Sequence, residues 1–406
     1  MAGYGRPASF VWMIVVIGCL IVGLTATQAR SRMADEESSA AAGDTPEPEG
    51  DVGCIWKIEI GMTCSDNVYH LSDSQIEKLE EMDPDDTAAG RFDDMESVTD
   101  TIWEPRIGLK MKRVSPLGGK VGIASWIQYH AHRENTARNY PEAELEVYHS
   151  VRKHGQLRMT WKYTDGFFQK NYLTGVDDAN NNGNITRAER IYSPAIYNEL
   201  EGVVAYRHTW MKRKKEAFSR LETEIFGGGS DRTHDGDLFR NRDKRIATAG
   251  GDVRLGFLSV IEVRLAYQFE DLRTDNQSEL VLFDETVAGE DVNGDGEVKG
   301  NAALETRIDR SCFRNTVEIA PVFALSDDCE LYLQYRWRRS GYRSDNPLDI
   351  DHYHQTAYKR QFRTGLAYDF CDRWSAEMEY RRTSDDDADD DDYTENNILA
   401  AVQYRF

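Results

Sequence analysis

Long apolar stretches are nearly absent from this 406-residue chain: mean hydropathy is −0.63, hydrophobic residues make up 40%, and one run, Phe10 to Ala26, stands out as apolar. A bundle of membrane-spanning helices, each needing about 20 apolar residues, is thereby excluded. Positive charge is also in deficit, with 49 Lys and Arg against 71 Asp and Glu and a net charge of −22. No basic face is available to neutralise phosphates, so nucleic acid is not expected as a partner. The chain also lacks a serine–histidine–acid constellation in its polar segments and a Gly-rich nucleotide loop, so an enzyme is not expected.

The single apolar run has a specific place. Arg6 precedes it, and Thr27-Gln28-Ala29 follows with small residues where a cleavage site needs them, which reads residues 1–29 as a secretory signal peptide. A retained anchor is the alternative, because the run is 17 residues long. Val16-Ile17-Gly18-Cys19 loosely fits a lipidation box, but the apolar Leu20-Ile21-Val22 behind it argues against lipidation. Residues 30–53, rich in Ala, Glu, Asp, Ser, Gly and Pro, can bury nothing and read as a flexible acidic leader.

From Trp103 onward the governing signal is period-2 alternation. Leu157, Met159, Trp161 and Tyr163 interleave with Arg158, Thr160, Lys162 and Thr164; Ile261, Val263, Leu265 and Tyr267 interleave with Glu262, Arg264 and Gln268. Strands are expected near 54–64, 102–114, 121–133, 142–153, 157–168, 198–211, 217–227, 245–257, 260–272, 311–324, 330–342, 357–370, 374–383 and 396–406. The connections between them alternate short and long throughout. Fourteen is an even count; the first strand carries the weakest pattern, and twelve strands is the alternative. The polar positions bear both signs of charge, whereas Trp103, Trp210 and Trp374 stand at strand ends, suited to an interfacial girdle.

The last strand, Ile398 to Phe406, ends on an aromatic residue with Tyr404 and Val402 on the same face. With this feature the chain resembles the outer-membrane β-barrel class of diderm bacteria, over roughly residues 100–406. The resemblance implies an all-β, antiparallel transmembrane barrel over 54–406 with long extracellular loops, contact with outer-membrane lipid, and recognition of the C-terminal strand ending in Phe406 by the barrel-assembly machinery. The interior would be lined by Glu104, Arg106, Lys110, Lys112, Arg158, Lys162, Glu262, Arg264, Arg336, Arg338, Glu377 and Glu379. A porin-like channel for small hydrophilic solutes follows. The alternatives are a barrel for export or assembly of surface proteins, and a purely structural barrel whose charges pair across the lumen.

The sharpest local motif runs from Asp178 to Glu189 and resembles an EF-hand calcium loop. Asp178, Asn180 and Asn182 occupy positions 1, 3 and 5, Gly183 allows the sharp turn, Asn184 offers a backbone carbonyl and Glu189 can clamp the ion bidentately. Two Asn ligands lower the charge, so weak Ca²⁺ binding, on the order of 10⁻⁴–10⁻³ M, is expected. A partial copy, Asp291, Asn293, Asp295 and Glu297, lacks the last ligand because Ala302 stands there. A third acidic run, Asp385 to Asp392, reads as a solvated loop tip. Cys329 and Cys371 fall at the same end of neighbouring strands and are expected to pair, while Cys54 and Cys64 are too far apart along one extended strand. A short helix is expected at 72–82, and His130 and His132 read as polar lining groups.

Overall fold

Alternation forces extended structure here because burying every second side chain on one surface is possible only with a two-residue period. The computed structural model describes residues 53–72, 76–77, 96–115, 119–151, 154–176, 190–212, 217–236, 239, 242–258, 260–274, 278–283, 302–347, 349, 352–386 and 392–406. In chain order the strands are β1 (Gly53–Ser65), β2 (Asp100–Val114), β3 (Lys120–His132), β4 (Tyr140–Val151), β5 (Gly155–Val176), β6 (Arg190–Lys212), β7 (Phe218–His234) and β8 (Lys244–Phe257). They continue with β9 (Ile261–Thr274), β10 (Ser278–Phe283), β11 (Ala302–Arg307), β12 (Cys312–Ser326), β13 (Cys329–Tyr342), β14 (Thr356–Asp369), β15 (Trp374–Asp386) and β16 (Tyr393–Arg405).

Among the described residues, fourteen of these strands close into one antiparallel barrel, each beside its neighbour in sequence, with β9 next to β12. The remaining two, β10 and β11, form a separate hairpin in the connection from β9 to β12, which sequence periodicity did not anticipate. Closure is made by β1 against β16, from Lys57 opposite Arg405 to Ser65 opposite Asn397, and the Phe406 N–H donates to the Trp56 carbonyl at 3.0 Å. The first strand is therefore part of the wall, and the count of fourteen stands over twelve.

The outward set is apolar and exposed. Ile58, Ile60, Ile107, Val204, Ile225, Val253, Leu265, Val317, Leu366, Met378 and Val402 form its middle, and Ile60 is 54% exposed although nothing polar accompanies it. Trp56, Trp210, Phe370, Trp374 and Phe406 ring the short-turn end, while Trp103, Tyr129 and Phe313 stand nearer the long-loop end. From Trp103 to Arg113 the strand climbs roughly 25 Å, taking about 3.3 Å per residue at a tilt of about 40°. That matches the apolar belt of an outer-membrane barrel, whose solvent is lipid and whose backbone groups are all paired around the ring.

Two expectations need adjustment. The Cys329–Cys371 bond does not form: Cys329 lies opposite Tyr368, β14 ends at Asp369, and Cys371 sits beyond it in the turn, both thiols free. Cys371 is held instead in the turn, where the Trp374 N–H donates to the Cys371 carbonyl at 3.2 Å. The expected helix is seen only at Ile76–Glu77. The signal peptide, nearly all of the leader and both calcium motifs lie outside the described residues.

Candidate channel lumen

Every residue expected to line the interior has inward parity. Arg336 on β13 pairs with Glu318 on β12, whose neighbour across the other ladder is Ala266; Arg363 on β14 faces Arg381 on β15; Arg158 on β5 faces Ala205 on β6. Sequence reading missed many lining residues, including Glu142, Glu222, Glu224, Asp252, Glu318 and Arg363. Parity within each strand could have found them.

The carboxylates hug the wall and the guanidinium groups reach past them. Glu318 is 6% exposed at its side chain, against 36% for Arg264 and 46% for Arg336, which donate to it at 3.2 Å and 2.7 Å. Asp252 takes Arg254 and Arg264 in the same way, Glu224 takes Arg158 at 2.7 Å and Arg207 at 2.8 Å, and Glu379 takes Arg363 at 2.7 Å. Arg220 bridges Glu222 and Glu262 at 2.7 and 2.6 Å. Among the described residues, each of these pairs joins strands no more than two places apart around the ring. None spans the lumen.

Four inward aromatics lie flat because each faces a glycine on the next strand: Trp126 over Gly108, Tyr148 over Gly122, Phe226 over Gly250 and Tyr332 over Gly365. A Cβ on Gly108 would stand 2.2 Å from the Trp126 ring, and one on Gly365 would stand 2.3 Å from Tyr332. The rings therefore cover backbone and do not fill the interior. The Tyr332 hydroxyl is further held by Glu377 at 2.6 Å and Glu379 at 2.7 Å. Fourteen strands about 4.8 Å apart at a tilt of about 40° would make a circular ring roughly 28 Å across between backbones.

The outer mouth is narrowed by the connection from β1 to β2. Asn67 donates through Nδ2 to the carbonyls of Leu71 and of Thr394 on β16, and His70 stacks on Tyr393 at 4.8 Å while meeting Glu395 at 3.3 Å. On its other side the same segment packs Val68, Tyr69 and Leu71 with Phe168 on β5. β16 and β5 are five places apart around the ring, so this segment lies across the mouth. Asn135, in the turn between β3 and β4, anchors it from below. Its Oδ1 accepts from the Tyr69 hydroxyl and from the N–H groups of Glu96 and Ser97, and its Nδ2 donates to Ser97 and Asp100. Arg138 stacks between Tyr69 and Phe167 at 4.9 and 5.0 Å. His130 and His132 point inward, held at 3.0 Å by Glu104 and Asp100.

The candidate calcium ligands all lie outside the described residues. Asp178, Asn180, Asn182, Asn184 and Glu189 belong to the connection from β5 to β6, and Asp291, Asn293, Asp295 and Glu297 to that from β10 to β11. Both connections sit on the long-loop side.

No protein-family model and no curated protein sequence matches the chain. Among solved structures it is similar to a loop-deletion form of OmpT, an outer membrane protein of Vibrio cholerae, at 10% identity and TM-score 0.38, covering 88% of this chain and 99% of that one. It is also similar to the anion-selective porin from Comamonas acidovorans, at 10% identity and TM-score 0.37 over 88% and 99% of the two chains. OccAB4 of Acinetobacter baumannii gives 10% identity and TM-score 0.34 over 87% and 98%. Scores this low leave the functional reading to the chain's own residues.

Proposed function

We propose that this chain is an outer-membrane channel passing small hydrophilic solutes, with calcium-binding loops on its outer side. The observation that carries the channel reading is the direction of charge pairing. Arginines and carboxylates meet along the wall, between strands one or two places apart, so the charges line a bore without closing it. A structural barrel sealed by its own ion pairs would need partners from opposite walls. The flat aromatics over Gly108, Gly122, Gly250 and Gly365 support the same reading, since each would otherwise stand in the bore.

The calcium reading rests on the ligand spacing from Asp178 to Glu189, between the ends of β5 and β6. The partial set Asp291, Asn293, Asp295 and Glu297 is the weaker site. The terminal strand, ending in Phe406 beside an aromatic stack of Trp374 and Tyr404, is the segment the assembly machinery would engage.

Reconstitution in planar bilayers tests the channel. Discrete, ohmic current steps in potassium chloride are expected from protein that migrates as a compact barrel on unboiled gels. Compactly folded protein without current would refute it. For calcium, chelation should raise proteolysis at residues 175–190 while the unboiled gel shift persists, and unchanged cleavage there would remove the metal from the account.

A further inference from the structure

The outer half of the wall carries cations that the pairing described above leaves in excess. Arg232 on β7 stands directly opposite Lys244 on β8, and Arg338 on β13 directly opposite Lys359 on β14. Like charges facing each other across a ladder are destabilising. Arg314 on β12 lies between the two pairs and is an electrostatic neighbour of both Lys244 and Arg338. The charged groups acting most strongly on the Lys244 ammonium are four guanidiniums, those of Arg232, Arg314, Arg310 and Arg242.

The carboxylates here do not balance them. Glu199 holds Arg232 at 2.7 Å and Asp385 holds Lys359 at 3.1 Å, but Glu270 reaches Arg314 only at 3.9 Å. Five wall cations, Arg232, Lys244, Arg314, Arg338 and Lys359, thus have three carboxylates within ion-pair distance, with Glu395 a further electrostatic neighbour of Lys359. Leu272 and Thr316, inward on the intervening strands, bring no charge. The buried Nε atoms of Arg314 and Arg338 have no hydrogen-bond partner among the described residues. A wall that concentrates positive charge and leaves guanidinium N–H groups unused is complementary to a small ligand with several acceptor oxygens.

We propose that Lys244, Arg314 and Arg338, flanked by Arg232 and Lys359, form a binding station for small multivalent anions, phosphate- or carboxylate-bearing solutes, in the outer half of the lumen. The proposal rests on the open-lumen reading for access and on these residues for selectivity. Because the chain as a whole carries a net charge of −22, an anion entering it needs a local positive field to dwell at all.

The test uses the full-length barrel in planar bilayers with potassium chloride, titrated with inorganic pyrophosphate. Saturable reduction of the current is expected, and the double variant Lys244→Gln/Arg314→Gln should weaken that block at least tenfold. Arg338→Gln alone should weaken it several-fold. Unboiled gel migration reports that each variant is folded. Arg133→Gln, an exposed loop guanidinium, should leave both current and block unchanged. A conducting wild type that ignores pyrophosphate, or a block equal in wild type and double variant, overturns the station. If the folded wild type carries no current, the channel reading fails by itself. Calorimetry of the detergent-solubilised barrel with pyrophosphate then decides the station: binding lost in the double variant keeps it, and no binding in the wild type removes it.

Discussion

Substituting Asn135 by alanine should release the segment across the outer mouth while leaving the barrel intact. The Asn135 side chain is fully buried and makes five hydrogen bonds, three as acceptor from Tyr69, Glu96 and Ser97 and two as donor to Ser97 and Asp100. Glu96 and Ser97 reach solvent, so water can replace the lost acceptor and each of those bonds counts at the low end, about 1 kcal/mol. With the bond from buried Tyr69 counted at the same minimum, the three acceptor bonds sum to about 3 kcal/mol of latch stability, roughly a hundredfold rise in the open population. The reporter is the Val68 amide, which donates to the Val98 carbonyl at 2.9 Å and should exchange roughly a hundredfold faster in the variant. Single-channel current should rise or become noisier, because the segment touching both β16 and β5 is freed. Asn135→Asp makes a sharper comparison: it keeps the acceptors but sets a carboxylate against Asp100, where Nδ2 now donates at 2.9 Å. It should open the latch at neutral pH at least as far as alanine does. Unchanged Val68 exchange in both variants, or exchange that rises equally in the strands, would refute the idea of a local latch.

Gly365→Ala would place a Cβ 2.3 Å from the Tyr332 ring and lift that ring off the wall, away from Glu377 and Glu379. A loss of about 1–3 kcal/mol is expected from overpacking, seen as a lower unfolding temperature on unboiled gels, together with reduced conductance. The outer loop at 343–355 should be pH-sensitive through Asp349. Burial pushes its carboxyl up, but hydrogen bonds from His352 at 2.7 Å and the Asp309 N–H at 2.9 Å outweigh this and hold it below the ordinary aspartate range. A depressed folded-state value means the contribution is present above the unfolded value and is lost as pH falls through the folded one. The loop should therefore resist acid-tolerant proteases at about pH 5 and yield to them well below about pH 4, whereas Asp349→Ala should yield at both.

Strand positions were legible because each wall strand keeps one face for lipid and one for water, and that contrast survives in composition-blind alternation. All fourteen expected strands overlap observed ones. Their ends were not equally legible. β5 runs to Val176 and β6 starts at Arg190, well beyond the expected 168 and 198, because the ladder between them slips three times, at Thr164/Phe167, Phe168/Lys170 and Leu173/Gly175. Each bulge inserts a residue and reverses the parity, so the period-2 signal cancels while the backbone stays paired. The lining was legible by parity, but its partners were not, since which arginine meets Glu318 depends on the register of three strands. The latch left no periodic trace at all: Asn67 and Asn135 act through contacts with residues scattered over the chain. The Cys329–Cys371 pairing failed for a related reason, as proximity of strand ends does not fix how far each strand overshoots.

In the proposed channel, the reach of the side chains accounts for how a lining rich in both charges would stay open. An aspartate or glutamate on an inward position ends close to the backbone, and an arginine beside it extends several ångströms further before turning back. Glu318 can thus collect guanidiniums from both flanking strands, and Asp252 one from its own strand and one from the next, while no carboxylate is long enough to meet one from the far wall. Pairs of this kind add little net stability once desolvation is counted. Their consequence is geometric: negative charge is fixed in the wall, positive charge is presented to the water, and the long side chains are held along the circumference. Neutralising one such carboxylate, as in Glu318→Gln, would leave Arg264 and Arg336 in mutual repulsion at the same site. The released side chains would swing inward, so bore and charge would change together.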